Sequence, residues 1–393
     1  MTSINKEEGL MGERVWTSRR ARTAGRTTSW AVSALALSAA AALSPASAQQ
    51  VDLVAELRSG DSTRCMEAGN VADEYKEQAA QLAPAIFELI ESGHGCAGSA
   101  LSALVNLGDG IAASLDAERA VPVLTRLIEE GIEPSFGDPV HRGSSALFVI
   151  GRFGEEAAPA LPTIERWIRE RPDEHDKRYG LMAIADLGDA ATPAAPLLIE
   201  LLGPDPDDDS YSRNEMRLEA ARTLARLPAL SALAADELVA ALSSEDWTLR
   251  SLAADALAAG GPEVVPALLT ELDSGVDERR EEAVRILGTL GEDARDAAPI
   301  LAKLLVDDNW TVQYEAGNLL ETLGPDERVI ELLAAMLRES KNEDAVTRAA
   351  EILGSYGPAA ASAVPALRHA ITRESWSVTQ AAEDAIEKIE GGG

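Results

Sequence analysis

A glycine recurs along this chain at nearly even spacing, each time directly after a run of apolar residues. The column comprises Gly108, Gly154, Gly188, Pro228 in one place, Gly261, Gly291, Gly324 and Gly357. Its last four intervals are 33, 30, 33 and 33 residues. A glycine just past an apolar run is typical of a helix end, where the chain needs a positive φ. A period this short indicates one small helical unit that repeats.

Two further columns precede the glycine, each four residues before the next. The nearer column is apolar and comprises Leu104, Ile150, Ile184, Leu224, Leu257, Leu287, Leu320 and Leu353. The farther column is small and comprises Ala100, Ala146, Gly180, Ala220, Ala253, Ala283, Ala316 and Ala349. A spacing of four places the small and the large residue on one helix face. We therefore expect neighbouring helices to approach closely through the small column.

A proline often begins a second apolar run about eight residues after the glycine. These prolines are Pro162, Pro196, Pro299 and Pro365, with Pro122 and Pro266 at shifted offsets. Proline fits the first turn of a helix because the N–H that it lacks would be unpaired there. Each unit is then a helix, a glycine turn and a second helix.

One such helix pair cannot bury both of its faces, whereas stacked pairs share a continuous core. The sequence therefore predicts an all-α fold, a right-handed α-solenoid of about nine two-helix repeats and a terminal helix, over residues 62–390. In this interpretation residues 49–61 are a short N-terminal segment and residues 391–393 a glycine tail.

Three segments show the pattern most clearly, and they resemble HEAT repeats. They are WTLRSLAADALAAGGPEVVPALLTEL (247–272), ERREEAVRILGTLGEDARDAAPILAKLL (278–305) and AVTRAAEILGSYGPAAASAVPAL (345–367). The pattern is most similar to the bacterial type that is also called phycobilisome-lyase-like. The resemblance covers nearly all of residues 62–390 and implies the solenoid fold. It implies no single activity, because this architecture serves scaffolds, transport receptors and a few enzymes.

The first 48 residues have the order of a secretory signal peptide. Five arginines from Arg14 to Arg26 form a basic region, the 14 residues from Trp30 to Leu43 are uncharged and mostly apolar, and Ala48 ends a small-residue segment. The apolar stretch is shorter than the roughly 20 residues that a membrane-spanning helix needs. We expect cleavage after Ala48, export by the general or the twin-arginine route, and a periplasmic or secreted protein without a membrane span. A retained anchor is the alternative.

The chain is strongly acidic. Its formal net charge of −31 becomes −34 when residues 1–48 are removed with their six basic and three acidic side chains. Such a surface repels nucleic acid and anionic lipid and attracts cations and basic partners. We therefore expect a protein or peptide partner of basic character and no nucleic-acid partner.

The two cysteines, Cys65 and Cys96, both follow the predicted cleavage site. A cysteine pair in an oxidising compartment is expected to form a disulfide. The columns place both cysteines near the start of the first helix, in adjacent repeats. Packed helices lie about 8–10 Å apart, which allows the Cα separation of about 5.5–6 Å that a disulfide prefers. Two buried thiols are the alternative.

Three tryptophans, Trp247, Trp310 and Trp376, each open a first helix, ten residues before the apolar column. The residue before each is of a type that is favoured as a helix N-cap. Those residues are Asp246, Asn309 and Ser375. Two interpretations remain open: each tryptophan packs against the previous repeat, or the three form an exposed aromatic row that binds a partner.

A basic column lies seven residues before the apolar column in four adjacent repeats. It comprises Lys177, Arg217, Arg250 and Arg280. The column is either a structural ladder that pairs with acids such as Asp255 and Glu282, or a cationic strip that binds an acidic peptide.

Two insertions lengthen the repeat. Residues 130–139 stretch one interval to 46 residues and hold Phe136 between two prolines, where it contacts a partner or folds back on its own repeat. The second insertion stretches an interval to 40 residues and contains Asp205, Asp207 and Asp209 at the spacing that begins a calcium loop. The glycine and glutamate that such a loop needs later are absent. A solvated acidic loop is the alternative.

No catalytic constellation is evident in the sequence. The histidines are His94, His141, His175 and His369, in separate repeats. None is followed by glutamate, so the His-Glu dipeptides of iron-binding HEAT-like hydroxylases are absent. We predict a non-enzymatic, exported scaffold without a cofactor that binds protein or peptide. The alternatives are a calcium-dependent or cell-envelope structural protein, and an enzyme subunit or lyase-like protein.

Overall fold

Helices account for the regular structure of the described chain. The structure is a computed structural model that describes residues 52–132, 138–203 and 211–391, and no β-strand occurs among them. Phe136, Asp205, Asp207 and Asp209 lie outside the described residues, so the two insertions stay predictions.

Nine helix pairs follow one another in the described residues, and we number the repeats one to nine by their first helices. An additional helix, α1 (Leu53–Arg58), precedes them. The first helices are α2 (Ser62–Asn70), α4 (Ala97–Leu107), α6 (Asp138–Gly151), α8 (Glu174–Asp186), α10 (Tyr211–Ala225), α13 (Trp247–Ala259), α15 (Asp277–Leu290), α17 (Trp310–Leu323) and α19 (Glu343–Ser355). The second helices are α3 (Ala79–Glu91), α5 (Ala117–Ile132), α7 (Leu161–Glu170), α9 (Ala195–Leu202), α11 (Pro228–Leu233) with α12 (Ala235–Ala241), α14 (Val265–Leu272), α16 (Ala298–Lys303), α18 (Glu327–Glu339) and α20 (Val364–Ala370). The terminal helix is α21 (Trp376–Glu390).

Each first helix packs against the first helix of the next repeat, from α2 through to α21. The second helices form the other layer of the stack. This arrangement confirms the predicted all-α solenoid with a terminal helix.

The apolar and small columns form the core of the stack. All eight residues of the apolar column are fully buried, and so are the alanines of the small column. Gly180 in the small column shows why size matters, because a Cβ there would lie 2.6 Å from Cγ1 of Ile168. Burial of one leucine or isoleucine side chain contributes about 1.5–3 kcal/mol. The repeated columns are therefore the main source of the stability between neighbours.

The glycine column turns the chain as predicted. All seven glycines have a positive φ, between 54° and 75°. Only glycine adopts this conformation without strain. In six of these repeats a short 3-10 segment follows the glycine and leads into the second helix. In repeat eight, Asp326 instead caps α18 directly after the turn.

Pro228 does not end a helix as the glycines do, so the sequence analysis was wrong to place it in the glycine column. Its ring holds φ negative. Helix α10 ends at Ala225, and Pro228 is the first residue of α11 after a short turn. The second half of repeat five consists of two short helices, which meet at Ala234.

The other prolines divide into two groups. Pro162, Pro196, Pro266, Pro299 and Pro365 occupy the second position of a second helix, as expected. Pro122 lies inside α5.

The first repeat is covered and cross-linked at its start. Helix α1 packs against α2 and α3 and buries Leu53 and Leu57. Cys65, in the first turn of α2, forms a disulfide with Cys96, which directly precedes α4. Their Cα atoms are 6.0 Å apart. The predicted pairing is present, and it joins repeat one to repeat two.

We expect Gly291→Ala to lower the free energy of unfolding by about 1–3 kcal/mol, because φ 56° and ψ −124° at Gly291 are sparsely populated by residues with a Cβ. No neighbouring atom lies within 4 Å of the added Cβ, so the cost is conformational alone. The matched control is Gly288→Ala inside α15, which also meets open space and should raise stability by about 0.5–1 kcal/mol. Denaturant unfolding measures both. A change of the same sign in the two variants would contradict the assigned turn.

Reduction of the disulfide should loosen the start of the solenoid and leave its end unchanged. The bond spans 31 residues, and loop closure of that length stabilises by about 3–4 kcal/mol. Repeats contact their neighbours only, so the loss stays local. Hydrogen exchange of Cys96→Ser should show faster exchange in α1 to α4 and unchanged exchange in α17 to α21. Equal acceleration along the whole chain would refute a local clamp.

Candidate protein-interaction surface

The turns that join one repeat to the next lie along one edge of the solenoid. First helices begin at this edge and second helices end there, while the glycine turns lie along the opposite edge. We call the first of these the inter-repeat edge. Trp247, Trp310 and Trp376 are the first residues of α13, α17 and α21, so all three lie on it.

The three tryptophans are exposed to solvent. Their exposed fractions are 71%, 70% and 82% for Trp247, Trp310 and Trp376. Packing against the previous repeat, one of the two interpretations from the sequence, is therefore wrong. Trp167 shows the contrast, since it is fully buried in α7 and its Nε1 donates to the carbonyl of Asp176 at 2.8 Å.

The N-caps hold the tryptophan turns in place in two of the three cases. The carboxylate of Asp246 accepts hydrogen bonds from the backbone N–H groups of residues 248 and 249. The side-chain oxygen of Asn309 accepts from those of residues 311 and 312. Ser375 sits at the cap position but caps nothing with its side chain. Its hydroxyl donates to Oε2 of Glu343 at 2.8 Å, which links α21 to α19.

An exposed carboxylate lies two residues before each tryptophan. The three are Glu245, Asp308 and Glu374. Within the part of the chain that the structure describes, none of these side chains makes a hydrogen bond or an ion pair. The signal was present in the sequence as Glu-Asp-Trp, Asp-Asn-Trp and Glu-Ser-Trp. Each tryptophan therefore has an available negative charge beside it.

The intervening repeats differ at both positions. Asp277 and Glu343 take the tryptophan position in repeats seven and nine, and both are exposed. Gly275 and Lys341 take the carboxylate position there. The tryptophan–carboxylate pair thus recurs at every second repeat.

The ring of Trp310 is held in one orientation by a neighbour. Tyr314, one helical turn further along α17, stacks on it with 5.3 Å between ring centroids and 13° between planes. Stacking covers one face of the indole, and the 70% exposure of the side chain leaves the remainder open.

Two open, acidic clefts lie between first helices beside this row. One, of about 490 Å³, is lined by Trp376 and by the charged residues Glu321, Glu351, Asp384, Arg348 and Lys388. The other, of about 470 Å³, lies between α15 and α17 and its charged residues are Glu281, Glu282, Glu315 and Arg285. Carboxylates outnumber cations in both clefts, so the surface next to the tryptophans favours a basic partner.

The basic column is engaged within the chain, and none of its four side chains is exposed. Three of its arginines donate to carbonyls near the end of the preceding second helix: Arg217 to Leu202 (3.0 Å), Arg250 to Ser244 (2.6 Å) and Arg280 to Ser274 (2.7 Å). Such carbonyls have no partner in their own helix. The arginines therefore stabilise the turns between repeats and leave no cationic strip.

The acids that we expected to pair with this column are the wrong ones. Glu282 binds Arg285 on its own helix, with 2.9 Å between Oε2 and Nε. Arg280 instead makes two 2.8 Å hydrogen bonds to Asp307, which lies in the turn between repeats seven and eight, and this carboxylate is the main cause that raises the pKa of the guanidinium. Lys177 pairs with Glu174 at 3.0 Å.

The histidines are the remaining candidates that the structure describes. His141 and His175, from neighbouring first helices, line one cleft of about 360 Å³. Among the described residues, no three His, Cys, Asp or Glu side chains lie close enough to hold a metal ion. None of the described helices combines the length and the apolar character that crossing a bilayer requires.

Comparisons with known proteins identify the repeat. A family model described as HEAT repeats matches residues 265–354. No curated protein matches the chain. Among solved structures, an engineered protein aligns with 27% identity over 51% of this chain and 97% of its own, with a TM-score of 0.29. Importin beta in an ammonium sulfate condition aligns with 14% identity over 86% of this chain and 50% of its own, with a TM-score of 0.43. Human deoxyhypusine hydroxylase in complex with glycerol aligns with 20% identity over 70% of this chain and 98% of its own, with a TM-score of 0.28.

These TM-scores lie below 0.5, so the identification depends on the family match and on the repeat unit itself. The matched segment contains α15 with α16 and α17 with α18. The same helix pair, with its glycine turn and its buried columns, recurs on both sides of that segment. The described chain is therefore a solenoid that contains HEAT repeats at residues 265–354.

Proposed function

We propose that this HEAT solenoid is an exported, non-enzymatic scaffold that binds a basic protein or peptide. The binding surface is the inter-repeat edge from repeat six to α21. The observation that carries the proposal is the row of Trp247, Trp310 and Trp376, each exposed and each beside an available carboxylate.

The fold does not depend on the tryptophan side chains, and a smaller residue at these positions would leave the core and the helix caps unchanged. The core columns are complete without them, and the caps of α13 and α17 come from Asp246 and Asn309. A packed aromatic side chain buries about 150–250 Å², so this row leaves a large aromatic area in water. Tryptophan is also among the residues that dominate binding energy at protein interfaces. A partner that covers the row explains why it is exposed.

Charge favours a basic partner. The chain has a formal net charge of −31, and the clefts beside the row carry an excess of carboxylates. Complementary charge mainly speeds encounter and excludes partners of the wrong sign, while the aromatic contacts hold the complex.

Export is the second part of the proposal, and its support is the N-terminal sequence. A basic region, an uncharged apolar stretch and a small-residue segment that ends at Ala48 occur in the order of a signal peptide.

The triple variant Trp247→Ala, Trp310→Ala, Trp376→Ala should lose its partners. Affinity capture from the export compartment, followed by mass spectrometry, should show basic polypeptides that the original protein retains and the variant releases. Loss of one interface tryptophan costs about 2 kcal/mol or more, which is roughly 30-fold in affinity. Capture by the original protein should also weaken as salt rises, because exposed charges are screened.

The matched control for this variant is Leu233→Ala. Leu233 is 57% exposed and belongs to α11, away from the tryptophan row. Its removal should leave capture unchanged. Equal capture by the triple variant and the original protein would refute the proposed surface, provided that both have the same thermal unfolding midpoint.

A fusion of residues 1–48 to a passenger protein should place the passenger outside the cytoplasm. N-terminal sequencing of the exported full chain should begin at Gln49. An intact chain in the cytoplasmic fraction would contradict export while leaving the binding surface to its own test.

A further inference from the structure

We propose that the partner segment on this edge is extended and carries a lysine or arginine at about every sixth residue, one for each tryptophan–carboxylate pair. The proposal rests on the function proposed above and specifies which side chains of the partner the surface binds, and at what spacing. Its basis is the recurrence of the pair at every second repeat.

Each pair combines two groups that bind a cationic side chain. The face of an indole attracts an ammonium or guanidinium group, by about 0.5–1 kcal/mol at exposed sites and more when water is excluded. The carboxylate two residues earlier, as in Glu374 and Trp376, supplies the opposite charge and has no partner among the described residues. A bare metal ion would bind oxygen ligands and make no use of the indole.

The intervening repeats lack the groups to bind a cationic side chain in the same way. Repeat nine has Lys341 at the position of the carboxylate and repeat seven has Gly275. Lys341 would repel a second cation there. The cation-binding positions are therefore confined to the turns of Trp247, Trp310 and Trp376.

The spacing between pairs fixes the spacing in the partner. The three tryptophans are 63 and 66 residues apart, two repeats in each case. Neighbouring packed helices lie about 8–10 Å apart, so successive pairs lie about 16–20 Å apart. An extended chain advances about 3.3 Å per residue and covers this distance in about five or six residues. A run of adjacent cations would reach one pair only.

Synthetic peptides of equal composition test the spacing. The first has three arginines separated by five glycine and serine residues, the second has the three arginines adjacent, and the third has them separated by two. Fluorescence anisotropy with the purified protein should give at least about tenfold tighter binding for the first peptide than for the others, since one added pair of about 1.4 kcal/mol is tenfold. The triple tryptophan variant should remove this preference.

A charge-matched pair of variants separates the carboxylates from general acidity. Glu245→Gln with Asp308→Asn and Glu374→Gln should reduce binding of the first peptide at least about tenfold. Glu155→Gln with Asp293→Asn and Asp296→Asn removes three exposed acids from the glycine-turn edge and should leave the preference intact. Equal affinity for all three peptides would contradict the proposed spacing of cations in the partner. Equal losses of affinity in the two charge variants would contradict it as well. Either result leaves the proposed function standing if capture of a basic partner still depends on the tryptophans.

Discussion

A helix pair in this chain has two apolar faces and can cover only one of them by itself. Everything else in the structure follows from how the second face is covered. A small residue and a large one, four positions apart, let each first helix approach the next, and the glycine turn returns the chain so that the next pair arrives in the same orientation. Other elements cover the outer faces of the first and the last of the described pairs. The start is covered by α1 and held by the disulfide between Cys65 and Cys96, and the end is covered by α21.

Because the core lies between stacked helices, the residues at the edges of the solenoid only need to turn the chain from one helix to the next. Capping oxygens and arginine side chains perform that task at the inter-repeat edge. Asp246 and Asn309 satisfy N–H groups of the helix that begins, while Arg217, Arg250 and Arg280 satisfy carbonyls near the helix that ends. The first residue of the helix is exposed whether it is Trp247, Trp310 or Trp376 or an acid such as Asp277 or Glu343. The two acids bind neighbouring polar side chains, whereas the tryptophans leave their rings largely in water.

The sequence predicted the core better than the edge, for a physical reason. Buried residues recur at a regular spacing in the sequence, so Leu320 and Ala316 were identified as core residues and Gly324 as a turn residue from spacing alone. A residue at the first position of a helix has no such mark, because a packed and an exposed tryptophan look identical in sequence. The partners of Arg280 were predicted wrongly for two reasons. One partner is the carbonyl of Ser274, a group that every residue has, and the other is Asp307, which lies 27 residues away in the chain. Helix α1 was missed although Leu53 and Leu57 are spaced by four and Asp52 caps the helix.

The central claim is that three exposed tryptophans form one surface that a basic partner covers. The most direct measurement is fluorine NMR of the purified protein labelled with fluorotryptophan, recorded while the arginine peptide with six-residue spacing is added. We expect the resonances of Trp247, Trp310 and Trp376 to shift together with one dissociation constant, while the resonance of buried Trp167 stays in place. Binding that leaves the three exposed tryptophans unshifted would contradict the account.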